Sequence, residues 1–186
     1  MASNDTKLGL GLATGMFYHA PAGTALPTYP AEALNSAWVE VGDVTQDGIT
    51  LATDKSTENI KNWANVIKRV IMTDHAETIS APLQDTVEET LKVVLGEDNV
   101  TVTAANATHG KLIDGHLSAG TLPAPEAFLF LMKDGDDMIM LGTKHGQITA
   151  LDNIGFAPNG AIVWTPTITG MEDGWHIIVD DGQKSA

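Results

Sequence analysis

Short runs in which apolar and polar residues alternate recur along this chain, and they predict a mainly β protein. Trp38–Val41 alternates with a period of two, and Asp47-Gly48 then marks a turn. Residues 66–79 are rich in β-branched side chains and predict one long or bent strand. Further β runs are expected at residues 99–103, 147–151, 161–169 and 175–179.

A hairpin is the strongest local prediction. Ala127–Met132 and Met138–Leu141 are β-compatible apolar runs, and Asp134-Gly135 between them is a favoured hairpin turn. Both faces of this hairpin are apolar, whereas an antiparallel hairpin normally keeps one polar face. The pattern therefore requires a cover on each side, supplied either by a helix and a second sheet or by another subunit.

One helix is predicted at about residues 82–95. Ser80 can cap it, Pro82 fits its first turn, and Gly96 ends it. The apolar positions that fall at helical spacing are Leu83, Val87, Leu91, Val94 and Leu95. With about eight strands and this helix, the sequence predicts an antiparallel β-sandwich or barrel with one packed helix.

The remaining segments are predicted to be irregular. Residues 1–30 are interpreted as an extended N-terminal arm, because three prolines and a glycine between Ala20 and Pro30 exclude a helix and a central strand. Residues 31–186 then form a single domain, in which a polar stretch at about residues 46–62 is predicted as a long loop. Loops of that length in compact domains are usually functional or mobile.

Composition and charge exclude several function classes. The chain has no cysteine, which excludes disulfides, cysteine-bound zinc and thiol catalysis. Its formal charge is −14 and it holds a single arginine, Arg69, so sequence-specific binding of nucleic acid is disfavoured. The N-terminus lacks the pattern of a signal peptide, and the densest apolar run, residues 127–132, is too short to span a membrane. A soluble protein without a membrane partner is expected.

No set of catalytic, cofactor-binding or metal-binding residues is predicted. His109, Asp114 and His116 are the closest group of possible metal ligands, but they match no fixed ligand pattern, and exposed loop histidines are the simpler interpretation. The acids at residues 134–137 do not match a calcium-binding loop. Ser118 lies between glycines, but the spacing and context differ from those of a nucleophile elbow. An enzyme is therefore the least favoured class.

The four tryptophans leave one alternative from another class. Trp38, Trp164 and Trp175 lie in predicted β runs, where a buried core or a subunit contact explains them, and Trp63 directly follows the polar stretch. A carbohydrate-binding β-sandwich would use such rings to stack on sugars. The missing export signal argues against this alternative.

A series of segments in the first part of the chain has a recognisable order. The segments are Phe17–Thr28, Trp38–Val44, Asp47–Ile49, Ile60–Trp63, Arg69-Val70, Ala81–Gly96 and Asn99-Val100. Their order and spacing resemble the major tail protein, the tail-tube subunit, of long-tailed bacteriophages of actinobacteria. Further along the chain, the resemblance rests on strand order and on the hairpin at residues 127–141.

The resemblance implies a tail-tube-like β fold and a structural virion protein without a cofactor. Members of that family assemble into hexameric rings, and the rings stack into a hollow tube through which DNA passes, without specific binding, during ejection. The implied partners are further copies of the chain and other tail proteins, namely the tape measure, the terminator and the distal tail protein. The protein would assemble in the cytoplasm of the bacterial host and reside in the virion tail.

Assembly contacts are expected in the arm, the polar stretch and the apolar hairpin. The residues expected there are Phe17, Pro21, Pro27, Trp63, Phe128 and Phe130. Part of the acidic charge is expected to line the lumen and to repel the phosphates of DNA. The alternative within the virion is another ring protein, such as a tail terminator, a hub protein or a decoration protein.

Overall fold

The computed structural model describes residues 8–12, 16–117 and 120–183. The described chain is mainly β, with one α-helix, α1, at Glu88–Leu95 and a short 3-10 helix at Glu97–Asn99. The strands are β1 Leu10–Gly11, β2 Phe17–Pro21, β3 Val39–Glu40, β4 Thr50–Lys61, β5 Ile67–Ser80, β6 Val100–Thr103, β7 Leu112–Gly115, β8 Glu126–Asp134, β9 Asp137–Leu151, β10 Pro166–Gly170 and β11 His176–Asp180.

Most strands join one antiparallel sheet. Nine strands form it in the order β3-β2-β8-β9-β10-β5-β4, with β1 pairing with β8 and β11 pairing with β9. β6 and β7 form a separate two-stranded sheet that contacts α1. The prediction of a mainly β, antiparallel fold with one helix is confirmed, although the described residues form eleven strands instead of about eight. Within the same residues, no helix is long and apolar enough to cross a membrane.

The predicted apolar hairpin is confirmed as β8 and β9. Asp134 pairs with Asp137, so the strands are joined by a short turn that begins with Gly135 at a φ of 62°. Glycine adopts this left-handed region without a steric penalty, which allows the chain to reverse here. Every side chain from Ala127 to Met132 is buried, so both faces of β8 are covered.

The two faces of this hairpin are covered by different parts of the same chain. On one face, Phe128 and Phe130 lie in the larger core together with residues of α1. On the other face, Leu129 lies in a smaller core with Trp38, and Leu26 packs against it. The subunit alone therefore buries this hairpin, and neither a second sheet nor a second subunit is required to cover it.

The helix begins later than predicted, at Glu88. The backbone N–H and carbonyl of Leu83 are both hydrogen-bonded to the backbone of Trp164, at 2.8 Å each, and the Leu83 side chain is fully buried. Ser80 is the last residue of β5, so it does not cap the helix. The strand-like pairing replaces the first predicted turn because it satisfies the same backbone groups inside the core. Gly96 ends the helix as predicted.

The predicted N-terminal arm is partly a strand. β2 pairs with β8 on one side and with β3 on the other, and Phe17 is fully buried. Pro21 is the last residue of this strand, where a missing N–H does not interrupt the ladder. The segment that follows is irregular and covers the smaller core. Residues 1–7 and 13–15 of the predicted arm lie outside the described residues.

The predicted loop at about residues 46–62 is mostly a strand. β4 is twelve residues long and pairs with β5 along its whole length. Every residue of β4 is exposed, so neither face needs to be apolar, and the period-two pattern that indicates a strand is absent. β4, β5 and the turn between them form a long hairpin, Thr50–Ser80, called the projecting hairpin below.

Candidate assembly interface

Most of the projecting hairpin is exposed on both faces. β4 is exposed at all twelve positions, and β5 is exposed from Ile67 to His75 apart from Ile71. At about 3.3 Å per residue, the strands are about 40 Å long. The large apolar side chains exposed on the hairpin are Leu51, Ile60, Trp63, Val66, Ile67, Val70 and Met72. A two-stranded hairpin without a packed face is only marginally stable in water, and exposed apolar side chains are typical of a contact surface, so this hairpin is the candidate interface.

The base of the projecting hairpin is held by the main sheet. Ile79 is fully buried in the larger core, and residues 78–80 pair with both β4 and β10. The Glu77 carboxylate accepts a hydrogen bond from the backbone N–H of Trp175 at 2.8 Å, and it lies 3.0 Å from Nε2 of His75. These contacts fix the direction in which the hairpin leaves the sheet.

Glu77 makes the base of the hairpin sensitive to acid. The Trp175 N–H holds the pKa of the Glu77 carboxyl below its ordinary value of 4.5, and His75 acts in the same direction. Because this pKa is lower in the folded state than in the unfolded state, its contribution to stability is complete above about pH 4.5 and is lost as the pH falls through the folded pKa. We expect Glu77→Gln to lower the melting temperature at neutral pH, and the difference from the wild type to shrink below pH 4.5. Thermal melts across this range check it, and a pH-independent difference would contradict it.

The two faces of the projecting hairpin differ in their chemistry. Side chains alternate along a strand and cross-strand partners share a face, so Asp54, Glu58 and Asp74 all lie on one face. The opposite face carries Val70 and Met72, which are 57% and 60% exposed. The first face is therefore mainly acidic, with Arg69 opposite Ile60 at its tip end, and the second face carries these apolar side chains towards the tip.

The acidic face continues onto the main sheet as a row of hydroxyl groups. Thr167 pairs with Ser80, and Thr169 pairs with Thr78. Oγ1 of Thr149 lies 2.8 Å from Oγ1 of Thr169, which brings a third strand into the row. Small hydroxyl side chains on β9, β10 and β5 thus lead into the carboxylates of the hairpin.

The turn of the projecting hairpin presents Trp63 to solvent. This side chain is fully exposed, whereas those of Trp38 and Trp164 are buried. The turn is closed by the N–H of Asn62, which donates to the carbonyl of Val66 at 2.9 Å, and by the N–H of Val66, which donates to Oδ1 of Asn62 at 2.9 Å. Trp63 therefore lies at the far end of the hairpin, and its expected role in assembly stays a prediction.

Three other residues expected at assembly contacts are core residues. Phe17, Phe128 and Phe130 are 0%, 1% and 0% exposed, and the rings of Phe17 and Phe130 stack with centroids 4.3 Å apart. The expectation for these three is corrected, because a ring buried in its own subunit has no surface for a neighbour. Pro21 is exposed and Pro27 is half-buried, and their role stays a prediction.

The groups considered for metal binding or catalysis do not form a site. Within the described ranges, no group of three or more His, Asp and Glu side chains is arranged to hold a metal ion. Nε2 of His109 lies 2.8 Å from the Asn106 amide nitrogen, and its Nδ1 lies 2.7 Å from the Gly110 carbonyl. Ser118 lies outside the described residues.

Sequence reasoning expected assembly contacts in the polar stretch but missed that this stretch forms a strand, β4. A local indication was present, because residues 50–61 and 67–80 flank the sequence Asn62-Trp63-Ala64-Asn65, and asparagine favours turns. Asn65 adopts a φ of 61°, which asparagine tolerates better than most residues. A search for turn residues between two long β-compatible stretches would have found the hairpin.

Comparison with known proteins identifies the family to which this chain belongs. A family model described as phage tail tube protein matches residues 1–174. A cryo-EM structure of the tube-terminating cap of the anti-feeding prophage is similar over 97% of this chain and 99% of that chain, with 9% sequence identity and a TM-score of 0.46. A search of curated proteins finds no match. The family match spans the projecting hairpin and both cores, so this chain belongs to the phage tail tube protein family.

Proposed function

We propose that this tail structural protein self-assembles into hexameric rings, that the rings stack into the tail tube, and that DNA passes through the tube during ejection. The observation that carries the proposal is the projecting hairpin, whose distal part is exposed on both faces and bears large apolar side chains. In a ring of identical subunits, each hairpin lies against its neighbour. Every copy then gains the support that the isolated subunit lacks.

The outer edge of β4 supports lateral assembly. β4 is the last strand of the main sheet in the described chain, so its outer backbone groups have no strand partner there. An edge of this length is a template for pairing with another strand. Pairing with a strand of the neighbouring subunit continues the sheet around the ring axis and closes it into a barrel.

The acidic face of the hairpin fits the lumen of such a tube. Asp54, Glu58 and Asp74 repel the phosphates of DNA, and the adjoining hydroxyl groups carry no charge that would hold DNA in place. The opposite face, with Val70 and Met72, then packs against neighbouring subunits. An acidic lumen is expected from the charge of the chain, and this arrangement names the residues that would line it.

Electron microscopy of the purified protein at several concentrations tests the proposal. Hollow tubes of stacked six-fold rings are the expected result, with the acidic face of the hairpin lining the channel. Single closed rings would instead indicate a tail terminator. A protein that stays monomeric even with the tape measure and distal tail proteins of its phage would contradict the proposal.

Trp63 should report assembly through its fluorescence. It is fully exposed in the subunit, whereas the other tryptophans are buried or packed against the larger core, so its surroundings change most on assembly. We expect the emission maximum to move to shorter wavelength as tubes form. Trp63→Phe should lose most of this shift when the two proteins are compared at concentrations that give equal tube formation by light scattering. If the emission maximum of Trp63→Phe still moved by the same amount, the assembly contact would lie near another tryptophan.

A further inference from the structure

Charge is divided unevenly between the projecting hairpin and the rest of the chain. Four of the ten lysines and arginines, and four of the 24 acidic residues, lie between Thr50 and Ser80. The hairpin therefore has no net formal charge. The rest of the chain, with six cations against 20 acids, carries the whole charge of −14.

Within the projecting hairpin, the positive charge is concentrated at the tip. Lys61, Lys68 and Arg69 lie next to the turn, and no acidic residue occurs between residues 59 and 73. Among the described residues, no carboxylate lies within 4.0 Å of these three cationic groups. The tip thus combines three unpaired cations with the exposed ring of Trp63.

We propose that this tip docks on the acidic surface of a second copy of the chain. The proposal rests on the proposed function and names the contact that the hairpin makes within the assembly. The partner is a second copy because the body of each copy carries an excess of negative charge. One such body is available for every tip. Complementary charge of this kind steers two surfaces together and sets their register.

The length of the hairpin prevents the tip from being neutralised by its own subunit. The hairpin pairs with β10 only at residues 78–80, which face residues 50–52 of β4. The remaining nine residues of β4, at about 3.3 Å each, place the tip about 30 Å beyond the residues that pair with β10. The Debye length is about 8 Å at physiological ionic strength, so the acids of the subunit's own body are screened from the tip.

The residue types at the tip fit a protein partner. Tryptophan and arginine are the side chains most often found at the energetic centre of protein–protein contacts, and the tip holds Trp63 and Arg69. Ile60 and Val66, 47% and 54% exposed, add apolar surface beside them. A contact that excludes water around these groups strengthens the charge pairs at its rim.

Duplex DNA is the other polyanion that such a tip could meet. Three cations provide only a weak and strongly salt-dependent attraction to phosphates. The second copy is therefore favoured, and binding to DNA is an outcome that the experiment must separate.

Matched charge reversals test the contact. Lys68→Glu with Arg69→Glu changes the tip, and Lys133→Glu with Lys144→Glu changes the body by the same amount, so both variants have a formal charge of −18 instead of −14. We expect the body variant to form tubes like the wild type. The tip variant should require at least a tenfold higher concentration to form tubes at low salt, and the difference should narrow at high salt. Equal assembly of the two variants at low salt would overturn the proposal.

Zero-length carbodiimide cross-linking of assembled wild-type tubes, followed by mass spectrometry, identifies the partner. The expected products join Lys61 or Lys68 to an acidic residue outside residues 50–80 of another copy. Products confined to acids of the projecting hairpin itself would overturn the proposal. Retention of a duplex DNA probe by wild-type tubes but not by tip-variant tubes, with assembly unchanged, would assign the tip to DNA. Failure of the wild type to assemble at all would instead remove the proposed function on which the contact rests.

Discussion

Replacing the distal part of the projecting hairpin by a short turn is expected to abolish tube formation and to leave a folded subunit. Ser56 and Asp74 face each other across the hairpin, so an Asn-Gly turn can join them in place of residues 57–73. The deleted residues contribute no side chain to either core. The melting temperature of the monomer should therefore stay close to that of the wild type, while the surface that supports assembly is lost.

Light scattering and electron microscopy, at concentrations where the wild type forms tubes, measure this effect. A matched control replaces residues 104–111 by the same Asn-Gly turn, because Thr103 and Leu112 also face each other across a hairpin. The control should still form tubes. Tubes formed by the variant without residues 57–73 would show that the projecting hairpin is not the assembly element.

Phe130→Ala is expected to destabilise the subunit strongly. Phe130 is fully buried, its ring stacks on Phe17 at 4.3 Å, and its centroid lies 6.1 Å from that of Trp175. Truncation of a buried phenylalanine to alanine costs about 3–5 kcal/mol, from lost burial and from the cavity left behind. Domains of this size have about 5–15 kcal/mol of stability in total, so the variant should be close to unfolding at moderate temperature.

Phe156→Ala is the matched control for this effect. Phe156 is 74% exposed, and its truncation should change the free energy of unfolding by no more than about 0.5 kcal/mol. Chemical denaturation of the monomer, followed by circular dichroism, measures both variants. Equal effects would contradict the core position of Phe130. An unchanged stability together with lost tube formation would return Phe130 to the assembly interface.

The fold class and the hairpin of β8 and β9 could be predicted because their determinants are local. A run of apolar residues on each side of Gly135 specifies two buried strands, and a glycine that adopts a left-handed conformation specifies the turn. The sequence left open what covers the two faces. Only the structure shows that the larger core, which includes residues of α1, covers one face and that the smaller core, against which Leu26 packs, covers the other.

The projecting hairpin could not be predicted from an apolar pattern, because β4 has solvent on both faces in the isolated subunit. A strand of this kind is specified by its partner, since its backbone groups pair with β5 at every position. Trp63 was identified at the end of a polar stretch, but its position at the end of a long projection depends on that pairing. The sequence thus identified Trp63 as a candidate contact residue, and the structure showed the exposed surface of the hairpin to which it belongs.

The opposite error affected the phenylalanines. Phe17, Phe128 and Phe130 were assigned to contacts between subunits because the hairpin is apolar on both faces. An apolar run shows that a side chain is buried, but it does not show whether its own chain or another chain buries it. Within the subunit, the ring of Phe17 stacks on those of Phe128 and Phe130 inside the larger core, which also contains residues of α1.

The sequence by itself determined the antiparallel β class, the apolar hairpin, the helix end at Gly96, the acidic charge and the resemblance to tail proteins. These features depend on local periodicity, on glycine conformation and on composition. Only the tertiary structure decided the start of α1 at Glu88, the strand character of residues 50–61 and the separation of buried from exposed aromatic rings. Those features depend on which distant backbone groups form the hydrogen bonds and on which part of the chain packs against a side chain. Neighbouring residues in the sequence do not specify either of these contacts.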